Sequence, residues 1–159
     1  PKIEEKAKPV PPAFIPSVEG KERILFIDDD KEIAKMGKDI LEGYGYRVES
    51  KNCSTEALET FRERPDKFDL IITDMIMPKM TGEELAEECM RVRPDIPIIL
   101  CTGYNEEVYN ETAMKIGIKE VIMKPVNGRN LANAIKKVLR ENVESREIIG
   151  EDIKRNQEG

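Results

Sequence analysis

Residues 23–30 read Arg-Ile-Leu-Phe-Ile-Asp-Asp-Asp, an apolar run that stops on three consecutive acids. The run Ile24–Ile27 is too short for a helix and has no polar residue at alternate positions. That is the pattern of a strand buried on both faces. The same grammar recurs along the chain: Leu70–Thr73 ends on Asp74, Ile96–Cys101 on Thr102, and Val121–Met123 on Lys124-Pro125, with a more interrupted run at Tyr46–Val48.

Longer segments with helical spacing lie between these runs. Ile33/Met36/Ile40/Leu41, Ala57/Leu58/Phe61, Leu85/Cys89, Val108/Thr112/Ile116 and Leu131/Ile135/Val138 each put an apolar stripe on one helix face. Ser54, Thr81 (with Glu84 three residues on) and Asn105 are candidate N-caps. Gly43 and Gly117 stand where helices should stop, and Pro65 and Pro94 follow other helix ends. Five strands alternating with five helices predict a mostly parallel sheet. Right-handed crossovers place helices on both of its faces, giving a doubly wound α/β domain.

The chain has 159 residues, enough for one domain with tails. Its net charge of -6 argues against a nucleic-acid partner. It contains no His, which excludes His-based triads, His-ligated metals and a phosphohistidine on this chain. The three cysteines, Cys53, Cys89 and Cys101, lack metal-ligand or CxxC spacing and read as small hydrophobes in a reducing compartment. No apolar run approaches a membrane span and no signal layout opens the chain, so the expected location is cytoplasmic, without membrane contact.

Residues 1–21 hold five of the ten prolines and read as a Pro-rich linker or tail, and the start at Pro1 reads as a fragment or processed chain. Residues 143–159 read as a helical extension of the last helix followed by a tail.

In open parallel sheets, ligands bind at the carboxyl ends of the strands. The polar residues predicted there are Asp28, Asp29 and Asp30, then Asp74, Thr102 and Lys124. Carboxylates brought together there repel, by on the order of 4 kcal/mol per pair at ~4 Å and an effective dielectric near 20. One lysine does not offset that, whereas a hard divalent cation such as Mg²⁺ would. A metal, a free carboxylate, a lysine and a hydroxyl together form a phosphoryl-transfer constellation, with a carboxylate as nucleophile.

These motifs resemble the response-regulator receiver domain of two-component signalling. The match is carried by Ile24–Asp30, Asp69–Pro78 with Gly82 beyond, Ile98–Gly103 and Val121–Pro125, and it covers residues 22–142. The resemblance implies a flavodoxin-like (βα)5 fold with strand order 2-1-3-4-5. It implies Asp74 as phosphoacceptor and Asp28 and Asp29 as the acidic pair for Mg²⁺, Asp29 directly and Asp28 through water. The main-chain carbonyl of Ile76 would be a further ligand, beside Asp74. Thr102 is implied as the switch hydroxyl and Lys124 as the partner of Asp74 or its phosphate, with a cis Lys124–Pro125 bond. Asp30 reads as the cap of the first helix, and Gly103 as allowing close backbone approach near the phosphate or simply making a turn. The donor would be a histidine kinase or histidine phosphotransfer protein, and the output face the fourth helix, fifth strand and fifth helix. Receivers attached to hybrid sensor kinases look most alike. Such a domain is a signalling module rather than an enzyme, catalysing only its own phosphorylation and dephosphorylation.

One departure stands out: Val121 occupies a position where the family often carries an aromatic residue. Tyr104 and Ile76 flank the phosphate site and should restrict the attacking water. Two other readings compete. Asp28-Asp29-Asp30 fits the D-x-D start of a haloacid-dehalogenase-like phosphatase with Asp28 as nucleophile, although Glu32 and the missing late acidic pair fit poorly. The other is a degenerate receiver acting only as an interaction module.

Overall fold

The computed structural model describes residues 22–103 and 106–142, and of residues 106–110 the backbone only. The linker at 1–21, the extension at 143–159, Tyr104 and the cap expected at Asn105 lie outside the described residues.

Strands and helices alternate along the chain. They are β1 (Arg23–Ile27), α1 (Lys31–Gly43), β2 (Arg47–Lys51), α2 (Ser54–Glu63), β3 (Leu70–Asp74), α3 (Gly82–Val92), β4 (Ile98–Thr102), α4 (Glu106–Ile116) and β5 (Glu120–Met123). A last helix, α5, covers 128–142 of the described residues. The strands form one five-stranded sheet in the order 2-1-3-4-5. Every pairing is parallel, with Ile24 opposite Val48 and Leu70, Ile72 opposite Ile99, and Thr102 opposite Met123.

Period-two alternation sends neighbouring side chains of each strand into different layers. Leu25, Ile27, Ile71, Ile98 and Leu100 join Leu58, Phe61, Leu85 and Cys89 under α2 and α3. Ile24, Phe26, Leu70, Ile72 and Ile99 join Leu41, Leu131, Ile135 and Val138 under α1 and α5. All five residues of β3 and all five of β4 are buried, as the continuous apolar runs require. The edge strand β2 is exposed or half-buried except at Val48, and it begins at Arg47 rather than Tyr46.

Side-chain caps account for the starts of α1 and α3. Asp30 caps α1, its carboxylate accepting from the main-chain N–H groups of Glu32 and Ile33 at 2.9 and 3.3 Å. Thr81 and Glu84 form a reciprocal capping box on α3. The cap expected at Ser54 is a correction: Ser54 is the first helical residue of α2, the cap position is Cys53, and no side chain caps it. Met75 and Met77 are buried in the core and Met80 packs against it, so the three serve as loop packing.

The cysteines differ in environment. Cys89 and Cys101 are buried, and burial pushes both thiols up to about 12. Cys53 is half-buried, with its Sγ 3.1 Å from the Thr55 hydroxyl. That hydrogen bond, with main-chain N–H groups at the start of α2, draws the thiol below its ordinary value.

Candidate functional site

The strand ends β1, β3, β4 and β5 converge at one edge of the sheet, beside the point where the chain order reverses between β1 and β3. Asp74 and Thr102 end their strands, Asp28 and Lys124 stand one residue past theirs, and Asp29 two past.

Asp28 and Asp74 are nearly buried, with 3% and 8% of their surface exposed, whereas Asp29 is exposed. Carboxylate oxygens of the three lie within 4.8 Å of one another. Lys124 reaches in from the end of β5, its Nζ 3.0 Å from Oδ2 of Asp28 and 3.2 Å from Oδ1 of Asp74. The two acids and the lysine are thus a single electrostatic unit. The other Asp28 oxygen accepts from the main-chain N–H of Asp30 at 2.9 Å. Oδ1 of Asp74 also accepts from the main-chain N–H of Met75 at 3.0 Å, and Oδ2 has no hydrogen-bond donor among the described residues.

The charges act on one another as burial dictates. Burial pushes the Asp74 carboxyl above its ordinary value, and the nearby Asp28 adds to the rise. Lys124 and the Met75 N–H work the other way without cancelling it. For Lys124, burial opposes the ammonium, but the hydrogen bond and charge of Asp28, then Asp74, outweigh it and hold the lysine above its ordinary value.

Thr102, 1% exposed, ends β4 beside this cluster, and its carbonyl accepts from the Lys124 N–H at 2.7 Å. The Lys124–Pro125 bond is cis, as the resemblance implied. Ile76 lies two residues past Asp74 with its side chain half exposed, at 52%. Val121 is buried in the α2/α3 layer at 5% exposure. A Cβ at Gly103 would meet nothing within 4 Å among the described residues.

Three features of the loop after β3 were not read from the sequence. Gly82 lies so close to β3 that a Cβ would stand 2.2 Å from the Asp74 carbonyl oxygen. Its N–H donates to the Met75 carbonyl at 2.8 Å, folding the start of α3 back onto the strand end. Lys79 has a positive φ of 69°, and Ser54 donates its hydroxyl to the Pro78 carbonyl at 3.3 Å. Only the glycine left a trace in the sequence, as part of the third-strand motif.

The acidic cluster suits a small hard cation. Mg²⁺ takes oxygen ligands at about 2.0–2.1 Å and keeps several waters, so carboxylate oxygens at this spacing can share one ion directly and through water.

Comparison with known proteins gives a consistent result. A family model described as the response regulator receiver domain matches residues 24–136. The response regulator receiver protein CpdR of Brucella abortus is 34% identical over 117 residues, 74% of this chain and 96% of CpdR. Chemotaxis protein CheY of Thermotoga maritima is 32% identical over 117 residues, 73% of this chain and 96% of its own. The CpxR homolog of Haemophilus influenzae, a transcriptional regulatory protein, is 31% identical over 118 residues, and there the match spans only 50% of the relative. It spans 21% of the two-component response regulator ARR10 of Arabidopsis thaliana, at 33% identity. A solved receiver domain protein from Clostridium thermocellum superposes with a TM-score of 0.72 at 32% identity, covering 81% of this chain and 99% of its own. A CheY-like receiver from Methanospirillum hungatei gives 0.71 at 37% identity, covering 78% and 98%.

Proposed function

The chain belongs to the response regulator receiver domain family, and from that premise we propose that residues 22–142 accept a phosphoryl group on Asp74 from a phosphohistidine and signal to a protein partner. The observation that carries the reading is the shared lysine: Lys124 contacts both Asp28 and Asp74, tying three strand ends into one pocket.

Asp74 is the nucleophile. Its Oδ1 is engaged by Lys124 and by the Met75 N–H, which orients the carboxylate and leaves Oδ2 to attack phosphorus. The new O–P bond forms as the P–N bond of the donor breaks, and that electron pair returns to the imidazole nitrogen. Asp28, Asp29, Asp74 and the carbonyl of Ile76 would hold Mg²⁺, which when bound neutralises charge on the transferring phosphoryl oxygens. Lys124 adds a fixed positive charge to the same end. Thr102 supplies a hydroxyl to a phosphoryl oxygen, and its displacement biases the domain between two conformations.

The donor we assign is a histidine kinase or a histidine phosphotransfer protein. The output face is α4, β5 and α5, where a groove of about 360 Å³ runs between β5 and α5 beside Met123, Asn133 and Lys137. A cytoplasmic location agrees with the described helices, none of which is long and apolar enough to cross a membrane. The phosphatase reading makes Asp28 the nucleophile, but both Asp28 oxygens are engaged, one by Lys124 and one by the Asp30 N–H. The reading as a bare interaction module leaves the assembled pocket without a task.

The test is phosphorylation with acetyl phosphate, with and without Mg²⁺, on the parent and on Asp74→Ala. Mg²⁺-dependent, acid-labile incorporation into the parent alone is expected. Incorporation that survives the substitution removes Asp74 as the acceptor.

A further inference from the structure

Ser54 stands where a helix cap is expected and does not cap. Its side chain, 2% exposed, turns instead to the loop after β3 and donates to the Pro78 carbonyl oxygen 3.3 Å away. A buried hydroxyl is seldom left without a partner, and this one has found its partner 24 positions along the chain.

The carbonyl it contacts belongs to a strained turn. The main-chain N–H of Met80 donates to the same Pro78 oxygen at 2.7 Å, closing a three-residue turn around Lys79. Lys79 has φ of 69°, a region disfavoured for any residue with a Cβ. Such a conformation persists where surrounding structure over-determines it. Two ties do so here: the Gly82 N–H holds the Met75 carbonyl at 2.8 Å, and Ser54 holds Pro78. Ile76 lies between them.

We propose that Ser54 is a positioning residue for the pocket: its hydroxyl on the Pro78 carbonyl fixes the strained turn at Lys79 and, through it, the main chain of Ile76 beside Asp74. This inference rests on the reading of Ile76 as a contributor to the cation site. Ser54 touches no reacting atom and acts only through the loop. The contact is at the long end for a hydroxyl–carbonyl bond, so the effect is modest, about threefold in cation affinity.

The test is an amide-detected NMR titration of the full chain with Mg²⁺ in a double-mutant cycle of parent, Ser54→Ala, Lys79→Gly and the double variant. Ser54→Ala is expected to weaken Mg²⁺ binding about threefold and to shift the amides of Met77, Lys79 and Met80. In the Lys79→Gly background the same change should cost little, because glycine adopts positive φ unaided. Ser54→Cys, which fills the same space with a weaker donor, should move affinity in the same direction. Unchanged affinity in Ser54→Ala, or an equal loss in both backgrounds, overturns the proposal. A parent chain that binds Mg²⁺ but takes no phosphoryl group from acetyl phosphate would sink the phosphorylation reading while leaving this cycle interpretable.

Discussion

The ammonium of Lys124 stands 3.0 Å from Oδ2 of Asp28, a residue 96 positions earlier in the chain, and holds β1 and β5 to a common charge centre. Removing it leaves Asp28 and Asp74 facing each other in a largely buried setting. Lys124→Met is expected to lower the unfolding free energy by about 2 kcal/mol at pH 7. The deficit should shrink on acidification as Asp74, held above its ordinary value, takes up a proton, and added Mg²⁺ should recover part of it. In the parent, the lysine's folded-state value is raised, so its stabilisation is present below 10.5 and disappears as pH rises through the raised value. Urea unfolding across pH tests both limbs, and a variant as stable as the parent at pH 7 would contradict the charge-centre account.

Asp74→Asn should do the opposite. The Asp74 carboxyl is raised by burial and by Asp28, so the folded state holds its proton more tightly than the unfolded chain does. That contribution is present below the ordinary value of 3.8 and lost as pH rises through the folded value, so at pH 7 the ionised acid burdens the fold. In metal-free buffer the substitution is expected to raise the thermal midpoint by roughly a few degrees at pH 7 and by less near pH 4. A fall at pH 7 would mean that the lost contacts to Lys124 and Met75 dominate.

Gly82→Ala tests the contact behind the pocket. A methyl group 2.2 Å from the Asp74 carbonyl oxygen and 2.8 Å from Leu100 cannot be accommodated by a side-chain rotation alone, because one neighbour is main chain. We expect a loss of about 2–3 kcal/mol together with slower phosphorylation of Asp74. Parent-like stability and phosphorylation would show that α3 can retreat freely.

Ile76→Asn tests the flank of the phosphate site. Ile76 lies two residues past Asp74 with 52% of its surface exposed, and under the proposed phosphorylation of Asp74 an amide in its place should orient water toward the phosphoryl group. The aspartyl phosphate is expected to hydrolyse several-fold faster, read by loss of ³²P label. An unchanged lifetime would remove Ile76 as a barrier.

The fold was legible wherever both faces of a strand are covered. β1, β3 and β4 read as uninterrupted apolar runs because helices pack on either side of them. β2 was misplaced because an edge strand tolerates Arg47, Glu49 and Lys51, and its polar residues break the pattern. The clustering of the acids and the lysine was legible for a related reason: they stand at or just past strand ends, and parallel strands end together. Contacts made by the main chain left no such mark. Nothing local to Ser54 distinguishes a serine that caps its helix from one that reaches Pro78, and the nearness of Gly82 to Asp74 depends on how α3 folds back.

The unequal seclusion of the three sulfurs has a practical corollary. Cys89 and Cys101 are sealed in the interior with thiols near 12, whereas Cys53 is partly accessible and acidified by its neighbours. A maleimide dye added to the native chain will attach at Cys53, one residue before Ser54. Because the chain contains no Trp, that dye would report on the nearby loop without intrinsic indole emission in the background.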